Sequence, residues 1–173
     1  MQTIVLGGGC FWCLEAVYQR VSGVSKVVSG YAGGFIDNPS YYDVCTGNTG
    51  HAEVVEITFD ESVISLRGIL EVFFATHDPT TENQQGNDRG TQYRSIIFYQ
   101  TEFERKTIDV IVKEHSLLFS DPIVTQVEPA VEFWPAEGNH QNYYNDNTQQ
   151  PYCQVVVGDK LKKLEQYLAK TKG

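Results

Sequence analysis

Close to its start the chain passes from TIVLG (Thr3–Gly7) into two further glycines and then into helical periodicity, with Phe11, Leu14, Tyr18 and Val21 at helix spacing. An apolar run of that length bounded by glycine reads as a buried strand, and the glycines let the backbone turn sharply into a helix that begins near Cys10. That junction carries CFWC, two cysteines three apart with two large aromatics between them. The motif has three open readings: a dithiol redox pair, half of a metal site, or the rim of a pocket that uses one cysteine and leaves the other as packing.

The remaining pattern is mixed. Val24–Ser29, Ala52–Phe59 and Tyr93–Tyr99 read as strands, and Leu66–Ala75 and Glu102–Leu118 as helices. Gly158–Ala169, with Leu161, Leu164 and Leu168 in register, closes the chain as an amphipathic helix. This order predicts an α+β fold without the regular alternation of a doubly wound sheet. No repeat or linker divides the 173 residues, so a single domain is expected.

Three segments between these elements are long and irregular: Gly33–Gly50, His77–Gln92 and Glu137–Tyr152. Loops beyond about 12–15 residues are uncommon in a compact domain unless they are functional or disordered. Tyr41, Tyr42, Tyr93, Tyr143 and Tyr144 argue for order, because their rings can pack and their hydroxyls can hold a neutral, oxygen-bearing ligand. A net charge of -9 speaks against a nucleic-acid partner, which is held through basic contacts. The chain shows neither a basic leader nor an apolar run long enough to cross a membrane, so a cytoplasmic protein is the simplest reading.

Cys10 is the stronger nucleophile candidate. Free N–H groups and the positive dipole end at a helix start favour its thiolate. Cys13, one turn on, can either attack an oxidised Cys10 or pack inertly. Zinc would call for about four ligands, yet Cys45 and Cys153 stand alone and no HxxxH pattern occurs. A thioredoxin-like CxxC would call for a βαβ context. In AEVVEITF, strand parity puts Glu53, Val55, Ile57 and Phe59 on one face, so Glu53 heads an apolar side while Glu56 points away. Burial there predicts a carboxyl still protonated near neutrality, suited to general acid work. Glu15 lies too far round the helix to share the Cys10 face and is expected to make a structural contact. On local grounds Asp88 reads as either a turn or a pocket residue.

Five blocks carry a resemblance: GCFWCLE at Gly9–Glu15, YAGG at Tyr31–Gly34, TGHAEVVEITFD at Thr49–Asp60, HDPTTENQQGNDRGTQYRS at His77–Ser95, and PAEGNHQNYY at Pro135–Tyr144. In this order they resemble the A class of peptide methionine sulfoxide reductases. The resemblance implies a two-layer α+β fold with a ferredoxin-like core and extensive coil. It implies reduction of the S epimer of methionine sulfoxide, free or in proteins, by a monomeric chain without cofactor or metal, with electrons from thioredoxin or dithiothreitol. By the same likeness Cys10 attacks the sulfoxide sulfur and becomes a sulfenic acid, and Glu53 supplies the proton. Tyr41 and Tyr93 hold the oxygen, Phe11 and Trp12 form the wall for the S-methyl group, and Asp88 is a polar substrate contact. A second thiol then closes a disulfide. Cys153, in the strand-like QQPYCQVVV segment, matches a position that many relatives use and is preferred over Cys13, which stands where many relatives have glycine. Asn139 stands where a tyrosine is usual, which bears on the pocket edge.

Overall fold

The computed structural model describes residues 1–172. The central strands are buried in continuous runs, as a sheet covered on both faces requires, and glycine ends the first of them. Strand β1 (Gln2–Gly7) leads into helix α1 (Phe11–Tyr18), strand β2 (Val24–Ala32), the short helix α2 (Tyr41–Cys45) and strand β3 (Ala52–Phe59). Helix α3 (Leu66–Thr76), the two-residue strands β4 (Gln84–Gln85) and β5 (Asp88–Arg89), strand β6 (Ile96–Tyr99) and helix α4 (Glu102–Ser116) follow. The chain ends with strands β7 (Gln126–Pro129) and β8 (Trp134–Pro135), helix α5 (Tyr143–Asp146), a π-helical turn at Cys153–Val157, and helix α6 (Gly158–Lys172).

The main sheet has the order β7-β6-β1-β3-β2-β8. Its four central strands form antiparallel pairs, and together with α1 and α3 they make a βαββαβ unit, the ferredoxin-like arrangement. β7 adds in parallel to β6, and β8 pairs antiparallel with β2. The helices cover one face of this sheet. Ile4, Leu6, Val55, Ile57 and Phe59 meet Phe11, Leu14, Val17, Ile69, Phe73, Ile108 and Leu164 in one buried cluster. The opposite face holds a smaller cluster, Val5, Ala32, Ala52, Val54, Ile96 and Phe98, over which Phe133 lies. Ser65 and Thr101 cap α3 and α4 through hydrogen bonds from Gly68 and Glu104 N–H groups.

Two expectations change. Tyr93 lies not on the strand but in a 3-10 turn, Thr91–Tyr93, entered through Gly90 at φ 142°, and strand pairing begins only at Ile96. The valine-rich run around Cys153 is helical rather than extended. Cys153 and Val157 are buried while Gln154 and Val155 face outward, and that turn-wise alternation fits a helix packed on one side. No helix among the described residues is long and apolar enough to cross a membrane.

Candidate active site

The start of α1 is shaped by glycine. Gly9 adopts φ +84°, where a Cβ would meet Gln85 Cγ at 2.7 Å, and its N–H donates to the Tyr93 carbonyl at 3.1 Å. Cys10 then occupies the N-cap with extended backbone and makes no side-chain cap, so the first amides of the helix need another acceptor. One acceptor comes from the centre of the sheet. The Phe11 N–H donates to Glu53 Oε1 at 3.1 Å. Glu53 sits opposite Tyr31 in the β3–β2 register and is 0% exposed. Its Oε2 has no partner. Burial pushes the Glu53 carboxyl from its ordinary 4.5 up to about 8, against the opposing pull of the Phe11 N–H and the Cys10 thiol. Strand parity predicts Glu53 at the head of this face, and the structure buries it there.

Cys10 departs from expectation. Its thiol is pushed well above the ordinary thiol range, first by burial, then by the charge of Glu53 and of Cys13, and only the Trp12 backbone N–H opposes the shift. The helix-start field acts within the first turn at the scale of about 1 kcal/mol, whereas burial of a charge costs several. Desolvation therefore wins, and burial favours the neutral form of both the thiol and the carboxyl.

Aromatic rings enclose this pair. Phe11 is fully buried beneath Tyr31, Tyr41 and His140, with ring centroids 5.6, 6.1 and 5.8 Å away. Trp12 stacks on Tyr143 at 3.7 Å and donates from Nε1 to His140 Nδ1 at 3.2 Å. His140 in turn stacks on Tyr41 at 4.1 Å. The Tyr41 and Tyr93 hydroxyls are both held protonated by burial, with the charges of Glu53 and Cys10 adding to it, which places both phenols around the same two groups. His140 was not singled out by pattern, although it lies inside a quoted block; its role depends on a Trp12 contact 128 positions away. Asn139 is exposed in the 3-10 turn Gly138–His140.

The segment that carries His140 and Tyr143 is tied down by two carboxylates, Glu137 at the surface and Glu15 in the core. Glu137 accepts from the Tyr31 hydroxyl and the Tyr41 N–H, both at 2.9 Å. Glu15, 2% exposed, accepts from the Asn142 and Tyr143 N–H groups at 2.9 and 3.3 Å, the structural contact expected of it. Removing that carboxyl takes the acceptor from two part-buried N–H donors, and a hydrogen bond to a charged group is worth about 1.5–3 kcal/mol. Glu15→Ala is therefore expected to lower stability in urea unfolding by about 2–4 kcal/mol and, by freeing Tyr143 from Trp12, to raise the substrate KM. Unchanged unfolding and KM together would refute this anchoring.

A second set of groups meets the cysteines from the other side. A cleft of about 620 Å³ is lined by Cys10, Cys13, Gln85, Asp88, Tyr152 and Lys160, among others. Asp88 accepts from the Tyr152 hydroxyl at 2.6 Å, and that hydroxyl lies 3.9 Å from Cys13 Sγ. Lys160 donates to Gln85 Oε1 at 2.7 Å. Cys153 does not line the cleft; it is 0% exposed and its thiol donates to Gln150 Oε1 at 3.7 Å. None of the four cysteines is in a disulfide. Among the described residues no three His, Cys, Asp or Glu side chains gather so as to hold a metal ion.

A buried cysteine paired with a protonated carboxyl, beside a second thiol, is the equipment of a thiol oxidoreductase. Comparison with known proteins narrows the class. The family model described as peptide methionine sulfoxide reductase matches residues 2–172, and the chain belongs to that family. The chain is 57% identical over 167 residues to the peptide methionine sulfoxide reductase MsrA of Paenarthrobacter aurescens, covering 96% of each. In structure it is similar to reduced Mxr1 from Saccharomyces cerevisiae, with TM-score 0.84 and 37% identity over 88% of both chains. Mxr1 solved in complex with Trx2 is also similar, with TM-score 0.59 and 26% identity over 82% of this chain and 84% of that one. The reaction of this chain is therefore thiol-dependent reduction of methionine sulfoxide.

Proposed function

We propose that Cys10 attacks the sulfur of methionine S-sulfoxide, free or within proteins, and that Glu53 delivers a proton to the departing oxygen. The observation that carries this reading is the unpartnered Glu53 Oε2, fully buried beside Cys10 on a carboxyl that keeps its proton up to about pH 8. A carboxylic acid with one oxygen fixed by the Phe11 N–H presents its other oxygen as the donor. Glu53 gives its proton to the sulfoxide oxygen and takes up the proton that the Cys10 thiol loses, so a thiol of high pKa needs no prior ionisation. The protonated oxygen then passes to the Cys10 sulfur as the new sulfur–sulfur bond breaks, so methionine leaves and Cys10 becomes a sulfenic acid.

Tyr41 and Tyr93 hold the sulfoxide oxygen through hydroxyls that stay protonated. Trp12, its far face fixed by Tyr143, meets the S-methyl group above a floor made by Phe11. Asp88 is a polar contact for the substrate on the cleft side. Cys13 closes the disulfide with Cys10. Its place in the same cleft one turn away supports it over Cys153, which is buried outside that cleft. Thioredoxin then reduces the pair, a reading supported by the likeness to Mxr1 seen with Trx2. Four unpaired thiols suit a reducing, cytoplasmic setting.

The reading is tested with reduced protein and separated sulfoxide epimers. One equivalent of methionine per chain is expected from the S epimer without added reductant, and continuous turnover with dithiothreitol. Consumption of the R epimer alone, or no methionine from either, would overturn it.

A further inference from the structure

The cleft behind the cysteines contains a hydrogen-bonded chain, Cys13–Tyr152–Asp88, to which the proton transfers of sulfoxide reduction assign no part. Cys13 Sγ lies 3.9 Å from the Tyr152 hydroxyl, and that hydroxyl donates to Asp88 Oδ2 at 2.6 Å. With the phenol proton committed to Asp88, the Tyr152 oxygen can only accept from the thiol, so both hydrogens point along one line toward the carboxylate. Three elements build this line: α1 supplies Cys13, the β4–β5 hairpin supplies Asp88, and the turn before α6 supplies Tyr152. On the reading that Cys13 resolves the sulfenic acid, we propose that Tyr152 and Asp88 form a proton relay that activates Cys13 for attack on oxidised Cys10.

The step balances. The Cys13 proton passes to the Tyr152 oxygen as the phenol proton passes to the Asp88 carboxylate. The Cys13 sulfur lone pair forms the bond to Cys10 Sγ, and the S–O bond breaks toward oxygen. The leaving hydroxide takes the Glu53 proton and departs as water. Cys13 is oxidised and Cys10 reduced by the same electron pair, and solvent exchange then restores Glu53 and Asp88.

A relay is needed because burial pushes the Cys13 thiol up to about 12, which leaves a negligible thiolate fraction near neutrality. The titratable and charged groups facing Cys13 are Cys10 from its own turn, Lys160 from α6, Asp88 from the hairpin, and Tyr152 and Cys153 from the π-helical region. Among these only Lys160, held at 2.7 Å from Gln85 Oε1, contributes positive charge to the thiolate as it forms. Tyr152 itself stays un-ionised, since burial and the neighbouring negative groups hold its phenol far above the ordinary range. It therefore acts by handing on a proton rather than by losing one.

The test separates the two chemical steps. Reduced protein is mixed rapidly with one equivalent of S-sulfoxide, and methionine, dimedone-trapped sulfenic acid and the Cys10–Cys13 disulfide are followed over time. Tyr152→Phe is expected to slow disulfide closure about 100-fold more than methionine release, the usual scale of a lost proton-transfer partner, and to accumulate sulfenic acid. Direct ionisation replaces the relay as pH rises, so the deficit relative to wild type should shrink about tenfold per pH unit between roughly pH 7 and 10. Asp88→Asn should show the same alkaline recovery of closure. Equal slowing of both steps, a deficit that does not change with pH, or no deficit would overturn the relay. Absence of methionine from the wild type would instead defeat the reductase reading, and closure at the wild-type rate in Cys13→Ser would defeat Cys13 as the resolving thiol.

Discussion

Glu53→Gln is expected to slow sulfoxide reduction by about 10²–10⁴-fold, the range for removal of a positioned proton donor, while making the fold more tolerant of alkali. Both effects come from one buried group. Gln keeps an oxygen for the Phe11 N–H but offers no acidic proton at the Oε2 position. The stability effect follows from the carboxyl's displacement from 4.5 to about 8 on burial. A group that binds its proton more tightly in the native state contributes stability that is fully present below the unfolded value and is lost as pH rises through the native one. Wild type should lose about 1.4 kcal/mol per pH unit across that window from this group, and Glu53→Gln should not. Urea unfolding of both proteins at pH 5, 7 and 9, set beside single-turnover rates, checks the pair of effects. A wild-type rate in the variant removes Glu53 as the donor; parallel stability profiles remove its burial as a source of strain. Reduction by the wild type should itself fade above about pH 8, as Glu53 loses its proton.

This position was legible because strand alternation fixes it. One glutamate at the head of an apolar face can be read from period alone, whereas its pairing with Tyr31 lies beyond the Val24–Ser29 strand that the pattern predicts. The helices and the glycine junction were legible for the same local reason. What resisted reading was assembled across the chain. His140, Tyr152 and Lys160 act through contacts with Trp12, Asp88 and Gln85 that are 128, 64 and 75 positions distant, and no period reports such contacts. Cys10 shows the complementary failure. A helix start is visible in sequence, and the dipole argument for a thiolate is sound in isolation. Yet Cys10 is only 6% exposed within the main buried cluster, and that depth, which reverses the dipole's effect, depends on the whole fold. Tyr93 left its strand for a similar reason, since Gly90 at φ 142° enters a turn that brings the Tyr93 carbonyl to the Gly9 N–H.

Cys153 is where local pattern and packing conflict most, and it sets the second large effect: Cys13→Ser is expected to lose nearly all thioredoxin-supported turnover, whereas Cys153→Ser keeps it. QVVV suggests a strand by composition, since β-branched residues favour a pleated surface. The chain instead winds it into a π-helical turn that hides Cys153 completely and leaves Val155 71% exposed. A thiol 0% exposed and engaged by Gln150 must leave its packing before it can reach Cys10. Cys13 starts one turn away, its N–H donating to the Cys10 carbonyl at 3.1 Å. Residues three apart on a helix lie about 5–6 Å apart at Cβ, whereas a disulfide asks for about 3.5–4.5 Å. The difference is a local tightening of the first turn, and Cys10, as an N-cap residue with extended backbone, is tied to the helix through its carbonyl alone and not by helical φ/ψ. Ser at 153 can still donate to Gln150, so that variant should retain its fold as well as its turnover. Each variant is given one equivalent of S-sulfoxide and then thioredoxin with its reductant. Cys13→Ser should yield one methionine per chain and stop, with a trappable sulfenic acid, while Cys153→Ser should continue. The reverse result would place resolution on Cys153 and require the π-helical turn to open during each catalytic cycle.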